Sequence, residues 1–413
     1  MTLVVTNALL GRERVGVRCE DGVIAALGVD VAAEAGDEVI DAGGAHLVPP
    51  LVNGHTHAAM TLFRGSGGDL PLMPWLQERI WPVEAKLDEE DVYWGARLAC
   101  AEMIRSGTTR FWDMYWQPEA TARAVEASGI RAAIGAPLFD ATSSFEELRD
   151  SAHRSIEALS QFGPHVTPAL APHAIYTVSE ESLRWIGELS AERGLPVQIH
   201  LSETEQEVQD CLAAHGERPA QYLDRVGLLS ERTILAHGVW LDPGELALVA
   251  ERGATVVSNP AANMKLAVGG VFPYPAAKAA GVAVGLGTDG AGSNDALDLL
   301  ADLKLFALAQ KHAAADPTAI EAAEAWAVAT GARAPLLGAT PLEPGAPADF
   351  LLLRPDAPEL GIGDLTSDLV YAATGAVVDT TIVAGQVLMR NGEIEDLDEI
   401  VARAAERAHR LGL

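Results

Sequence analysis

Short apolar runs and amphipathic stretches alternate through the middle of this chain. Runs at 51–57, 109–114, 131–139, 166–173, 196–201, 233–237, 255–259 and 282–287 are strand-like, being short, apolar and bounded by turn residues. Between them, 91–106, 118–128, 144–160, 180–193, 205–226, 242–252 and 273–280 carry helical periodicity, and 295–312 follows the eighth run with the same pattern. Eight strands alternating with helices predict an α/β chain folded as a parallel (β/α)8 TIM-type barrel. Such barrels carry their active sites at the carboxyl ends of the strands. The residues that end these runs therefore matter most.

The two ends of the chain are patterned differently. Runs at 3–6, 15–19 and 23–27, with the turn Glu20-Asp21-Gly22, read as short strands. The same style returns from about residue 345, with runs at 349–353 and 380–389 and the turns Ala384-Gly385-Gln386 and Asn391-Gly392. The Pro-rich segment 340–347 marks the return, and 396–413 reads as a final helix. The expectation is a small β-sandwich domain built from both termini, residues 1–49 and 345–413, with the barrel, residues 50–344, inserted between them.

Candidate chemistry gathers at the predicted strand ends. The first run leads into Asn53-Gly54-His55-Thr56-His57. Residues two apart on a strand share a face, so His55 and His57 would project side by side. His200 ends the fifth run, and Asp289 lies just past the eighth, in Gly287-Thr288-Asp289-Gly290. Singly, each has an ordinary reading as a packing histidine or a turn aspartate. Jointly, three imidazoles and one carboxylate at strand ends suit zinc or ferrous iron with a position left open for water. Such an ion brings the pKa of its water toward neutrality. His237, ending the sixth run, is either a further ligand or a group that orients and deprotonates the water. With four ligands already named, the second role is the expectation. Glu203, three residues past His200, reads as a general acid–base carboxylate, the bland alternative being a solvated loop glutamate.

The motifs His55-Thr56-His57, Pro82-Val83-Glu84, Ala171-Pro172-His173, His200-Leu201-Ser202-Glu203, His237-Gly238, Ser258-Asn259-Pro260 and Gly287-Thr288-Asp289-Gly290 occur in that order. The chain in this respect resembles the amidohydrolase superfamily. The stretches 60–87, 265–269 and 287–294 make it similar, more narrowly, to the 5′-methylthioadenosine/S-adenosylhomocysteine deaminases. The resemblance implies a metal-dependent hydrolase barrel. It would convert an adenine nucleoside, a small-molecule substrate, to its inosine product and ammonia. It implies one divalent ion, usually zinc, on His55, His57, His200 and Asp289. Glu203 would protonate ring nitrogen N1. His237 and Asp289 would handle protons of the water and the leaving ammonia. Glu84 would hold the ribose hydroxyls, and His173 would contact the substrate. The metal motifs fit guanine, pterin and triazine hydrolases of the superfamily equally well. A non-catalytic metal-binding scaffold is the reading from outside it.

One departure bears on the substrate. Carboxylate-binding members of the family carry an arginine where this chain reads Gly135-Ala136-Pro137-Leu138. Arg149 and Arg154 on the next helix are the remaining candidates for that cation. Without one, uncharged 5′ groups are favoured, because the missing guanidinium removes a bidentate contact to a carboxylate. Trp75, Trp112 and Trp116 are candidates for an apolar pocket there, although core packing is the expected fate of tryptophans.

Bulk properties narrow the setting. With 58 acidic and 29 basic residues the formal charge is −29, which repels nucleic acid and anionic membrane. No apolar run of 18 or more residues predicts a membrane span, and the first residues lack the regions of a signal peptide. Cys19, Cys100 and Cys211 are scattered and odd in number, which points to a reducing cytoplasm and away from a thiolate metal site. A homo-oligomer is compatible with all of this.

Overall fold

The computed structural model describes residues 2–66, 69–141 and 143–413. Gly67 and Gly68, inside the 60–87 stretch, lie outside the described residues, as do Met1 and Thr142.

Eight parallel strands form the barrel: Leu51–Thr56, Thr108–Met114, Arg131–Gly135, Val166–Pro168, Val197–Leu201, Thr233–His237, Thr255–Ser258 and Ala283–Leu286. The eighth pairs with the first at Leu286 and Asn53. Closure between the fourth and fifth runs through main-chain bonds. Leu170 N donates to Pro196 O at 2.9 Å, Gln198 N to Leu170 O at 2.9 Å, and His200 N to His173 O at 3.0 Å. The third and fourth strands are shorter than the expected 131–139 and 166–173. Each resumes as a two-residue piece, Pro137–Leu138 and Ala171–Pro172, and these two pieces pair with each other. Pro137, Pro168 and Pro172 have no N–H to give a ladder, which explains the interruptions.

The helices begin where side chains cap them. Asp88, Ser144 and Asp242 each complete a capping box, opening Glu89–Arg105, Phe145–Leu159 and Pro243–Arg252. The expected helix at 205–226 is two, Glu205–His215 and Pro219–Arg225. Gly216 ends the first in a left-handed conformation at φ 71°, and Pro219 opens the second. The helix expected at 295–312 starts at Leu299, because Asp298 supplies its N-cap.

Both chain ends meet in one eight-stranded sheet. Leu3–Leu10 pairs with Glu13–Glu20, with Glu38–Asp41 and, at one position, with His46–Val48. Phe350–Leu353 then joins His46–Val48 to the hairpin Val378–Val383 and Gln386–Met389. Val5, Val17, Ile24, Leu47, Phe350 and Ile382 form a core of its own for this sheet. Asp349 ties it to the barrel, accepting from Arg131 Nε at 2.7 Å and Nη2 at 3.0 Å. The tail helix Leu397–Leu411 lies elsewhere, on the barrel helix Glu89–Arg105, where Arg407 and Arg410 reach the buried Asp91. Its apolar positions Ile400, Ala404 and Leu411 are buried there, while the rest of its surface stays largely exposed.

Inside the barrel, below the strand ends, Val52, Trp112, Ala133, Ile234, Val257 and Leu337 pack as a plug. Trp112 takes the core-packing role here rather than the pocket role. Its ring is buried in the plug, and Nε1 donates to Leu337 O at 3.3 Å.

Candidate metal centre and its cleft

The first, fifth and eighth barrel strands bring four side chains to one point. His57 Nε2 lies 3.1 Å and His55 Nε2 3.5 Å from Asp289 Oδ1. His200 Nε2 stands 3.4 Å from His57 Nε2. The other ring nitrogen of each histidine is held from outside. His57 Nδ1 donates to Met114 O at 2.6 Å, His200 Nδ1 to His173 O at 2.8 Å, and His55 Nδ1 to Gln198 Oε1 at 3.3 Å. Acceptors at Nδ1 fix each ring so that its Nε2 faces the shared centre, where a bound cation would take the Nε2 lone pairs. His55 Nε2 is buried and has no hydrogen-bond partner among the described residues. Buried polar atoms are rarely left so, and a cation among these donors satisfies it. The residues therefore fit a divalent metal. His55, His237 and Asp289 also offer ligand atoms within 4.8 Å of one another, so His237 borders the same centre.

Burial and close charges set the protonation of this cluster. Burial lowers His55 to about 4 and His173 to about 3. His57 goes the other way, to about 9, because Asp289 and the Met114 carbonyl outweigh its burial. Asp289 is held low by His55 and His57 against its own burial. Glu203 is pushed up to about 8 by burial and by Asp289. Glu84 is raised by burial, with Tyr115 and Trp116 acting against that shift.

Local backbone aims these groups. His237 has φ 75° and Asp289 φ 60°, left-handed conformations at the strand ends that turn each side chain inward. His237 Nδ1 donates to Asn263 Oδ1 at 2.8 Å and lies 3.9 Å from Glu203 Oε1. Asp289 Oδ2 accepts from Ser293 Oγ at 2.6 Å.

The cluster floors a cleft lined also by Glu84, His173, Glu203 and His237. Its walls are apolar and aromatic, with Trp75, Trp81, Tyr115, Trp116, Phe139 and Tyr176 prominent. Trp116 stacks on Phe139 at 5.5 Å, and Phe139 in turn lies 4.8 Å from the His173 ring. Glu84 ends the short helix Trp81–Glu84 at the mouth. Among the described residues, no lysine or arginine lines the cleft. Arg149 is instead held on the outer surface, its guanidinium 5.5 Å from both the Phe145 and Trp185 rings. Arg154 is exposed on the same helix.

All eight sequence-predicted site residues thus meet here, together with Trp75 and Trp116. Several partners escaped sequence reasoning: Gln198, Asn263, Ser293, Tyr115 and Tyr176. For Gln198 a signal existed, since it sits two residues before His200 on the same strand face. Ser293 carries the i+4 helical spacing from Asp289. Nothing in the sequence marked Asn263 or the two tyrosines.

Comparison with known proteins adds names to this geometry. The model of the amidohydrolase family matches residues 46–388. A 5′-deoxyadenosine deaminase of Methanoregula boonei is 49% identical over 381 residues, covering 90% of this chain and 86% of that protein. A 5-methylthioadenosine/S-adenosylhomocysteine deaminase of Archaeoglobus fulgidus is 43% identical, covering 91% and 90%. Among solved structures, an adenosine deaminase from Xanthomonas campestris with bound zinc superposes with TM-score 0.92 at 35% identity, covering 100% of this chain and 98% of that one. An atrazine chlorohydrolase from Arthrobacter aurescens shares the fold, with TM-score 0.89 at 23% identity over 98% of this chain and 100% of that one.

Proposed function

The chain belongs to the amidohydrolase family, and from that premise we propose that it hydrolytically deaminates adenine nucleosides with an uncharged 5′ end. Products would be the inosine analogue and ammonia. One observation carries the reading: the cleft joins a histidine–aspartate metal cluster to Glu203 and Glu84, yet holds no lysine or arginine among its described lining residues. 5′-Deoxyadenosine, named for the Methanoregula relative, has no charge at that end.

The chain's own residues divide the work. Glu84 accepts hydrogen bonds from the two ribose hydroxyls. The Trp116–Phe139 stack packs against the 5′ end, and His173 contacts the substrate beside it. Glu203 delivers a proton to N1, which makes C6 electron-poor. His237 and Asp289 take a proton from the attacking water and pass one to the departing amino group, so ammonia leaves neutral as the C6–N bond breaks and a C6–O bond remains. His55, His57, His200 and Asp289 would hold one divalent ion, zinc by preference, since three imidazoles and a carboxylate suit it. When bound, it supplies Lewis acidity and a hydroxide near neutral pH.

Residues 50–344 would form this catalytic unit, and 1–49 with the strands after 345 the second domain. Cys19, Cys100 and Cys211, free and buried along the chain, suit a reducing cytoplasm.

A panel of 5′-modified adenosines, followed by the absorbance change to inosines, tests the proposal. We expect kcat/KM for 5′-deoxyadenosine, methylthioadenosine or adenosine to equal or exceed that for S-adenosylhomocysteine. A preference for S-adenosylhomocysteine of roughly tenfold, about 1.4 kcal/mol, would refute the uncharged 5′ end. No turnover of any adenosine by metal-loaded protein would refute the deaminase reading itself.

A further inference from the structure

Glu207 is buried, with 7% of its surface exposed, and among the described residues it has no lysine, arginine or histidine within ion-pair distance. A buried carboxylate without a cation is costly unless hydrogen bonds compensate it. Here two main-chain amides offset part of that cost. Ser202 N donates to Glu207 Oε1 at 2.8 Å, and Glu203 N donates to Oε2 at 2.9 Å. The single carboxylate therefore spans the turn that carries Glu203.

That turn is not a relaxed one. Ser202 adopts φ 51°, a left-handed conformation that a residue with a side chain avoids unless its surroundings impose it. Its carbonyl accepts from Trp240 N at 2.9 Å, so the turn is held from the far side too. Glu207 is itself fixed, because it lies in the first turn of Glu205–His215, where Thr204 caps the helix by accepting from Glu207 N at 3.2 Å. A rigid helix end thus reaches back to the backbone of the residue whose carboxylate faces the cleft.

We infer that Glu207 is a positioning residue for Glu203, clamping the Ser202–Glu203 amides so that the Glu203 carboxylate points at the reacting ring. The inference rests on the role given to Glu203 above. It predicts that loss of the clamp damages the proton-transfer step rather than substrate binding, since small misplacements of a catalytic group are expensive.

The test is a double-mutant cycle in the full-length, zinc-loaded enzyme with adenosine. Glu207→Gln exchanges one acceptor oxygen for an NH2 group that repels a facing N–H. It should lower kcat by about 10- to 100-fold and leave KM within about threefold. In a Glu203→Gln background the same change should cost no more than about twofold, because residues acting as a unit are non-additive. Unchanged kcat in Glu207→Gln, or losses that multiply independently, would overturn the inference while leaving the role of Glu203 intact. Near-normal turnover by Glu203→Gln alone would instead remove that role, and the inference with it. If Glu207→Gln does not fold, hydrogen exchange on the native protein decides. The Ser202 and Glu203 amides should be strongly protected, and rapid exchange there would refute the clamp.

Discussion

The two ends of the barrel bury polar groups on opposite principles. At the amino-terminal end, Arg131 and Asp349 are paired in fork-to-fork geometry, and Asp349 also accepts from Ala384 N at 2.7 Å. Every oxygen of that carboxylate has a donor. At the carboxyl-terminal end, the imidazoles of His55, His57, His200 and His237 crowd together with the carboxylates of Glu203 and Asp289, and among the described residues His55 Nε2 is left without a hydrogen-bond partner. The first arrangement is complete within the protein and joins two sheets. The second is incomplete until something binds. A barrel separates the two because stability can be settled at one rim while the other is left open for chemistry.

The comparison is broken most sharply by removing a group at the open end. Asp289→Ala should abolish metal retention and cut turnover by at least about 10³-fold, since the ion contributes several kcal/mol to such reactions. Elemental analysis and kinetics check this together, and a metal-free variant with native turnover would sink the mechanism.

At the closed end the effects should invert. Arg131→Ala leaves Asp349 buried with one amide, and breaking a buried pair typically costs about 3–5 kcal/mol. Denaturant melts should register that loss, with kcat/KM of the remaining folded protein nearly unchanged. A large kinetic defect at full stability would show that the two ends are coupled.

Two smaller effects sharpen the reading of the open end. Glu203→Gln should keep metal and fold but lose roughly 10²-fold in turnover, the scale of general acid–base catalysis. Near-normal turnover with the metal retained would remove Glu203 from the proton-transfer step. Glu84→Gln should weaken only substrates with vicinal hydroxyls, by about 1.5–3 kcal/mol, the worth of hydrogen bonds to a charged group. Equal losses on adenosine and 2′-deoxyadenosine would show that Glu84 does not read the ribose.

Much of the open end was legible along the chain because strands have a short period. His55 and His57 share a face by alternation alone, and runs that stop at His200 and His237 mark strand ends without any coordinates. The second ring of contacts was not legible. Asn263 meets His237 from a different βα loop, 26 residues away, and nothing in local spacing predicts that. Trp112, Trp75 and Trp116 were indistinguishable as letters. Trp112 belongs to the inward face of the second strand below the metal level, whereas Trp75, ending the short helix Leu72–Trp75, and Trp116, in the loop after the second strand, line the cleft above it.

The sequence by itself determined the alternation of strands and helices, the return of the chain end to a β style, and the residues placed at strand ends. These follow from hydrophobic periodicity and from caps and turns, which are local. Only the tertiary structure decided that the tail helix packs on the barrel, that Arg149 is spent on two outer aromatic rings, and that the cleft lining holds no lysine or arginine among its described residues. Those outcomes depend on which distant surfaces meet when the barrel closes, and closure is a property of the whole chain rather than of any window along it.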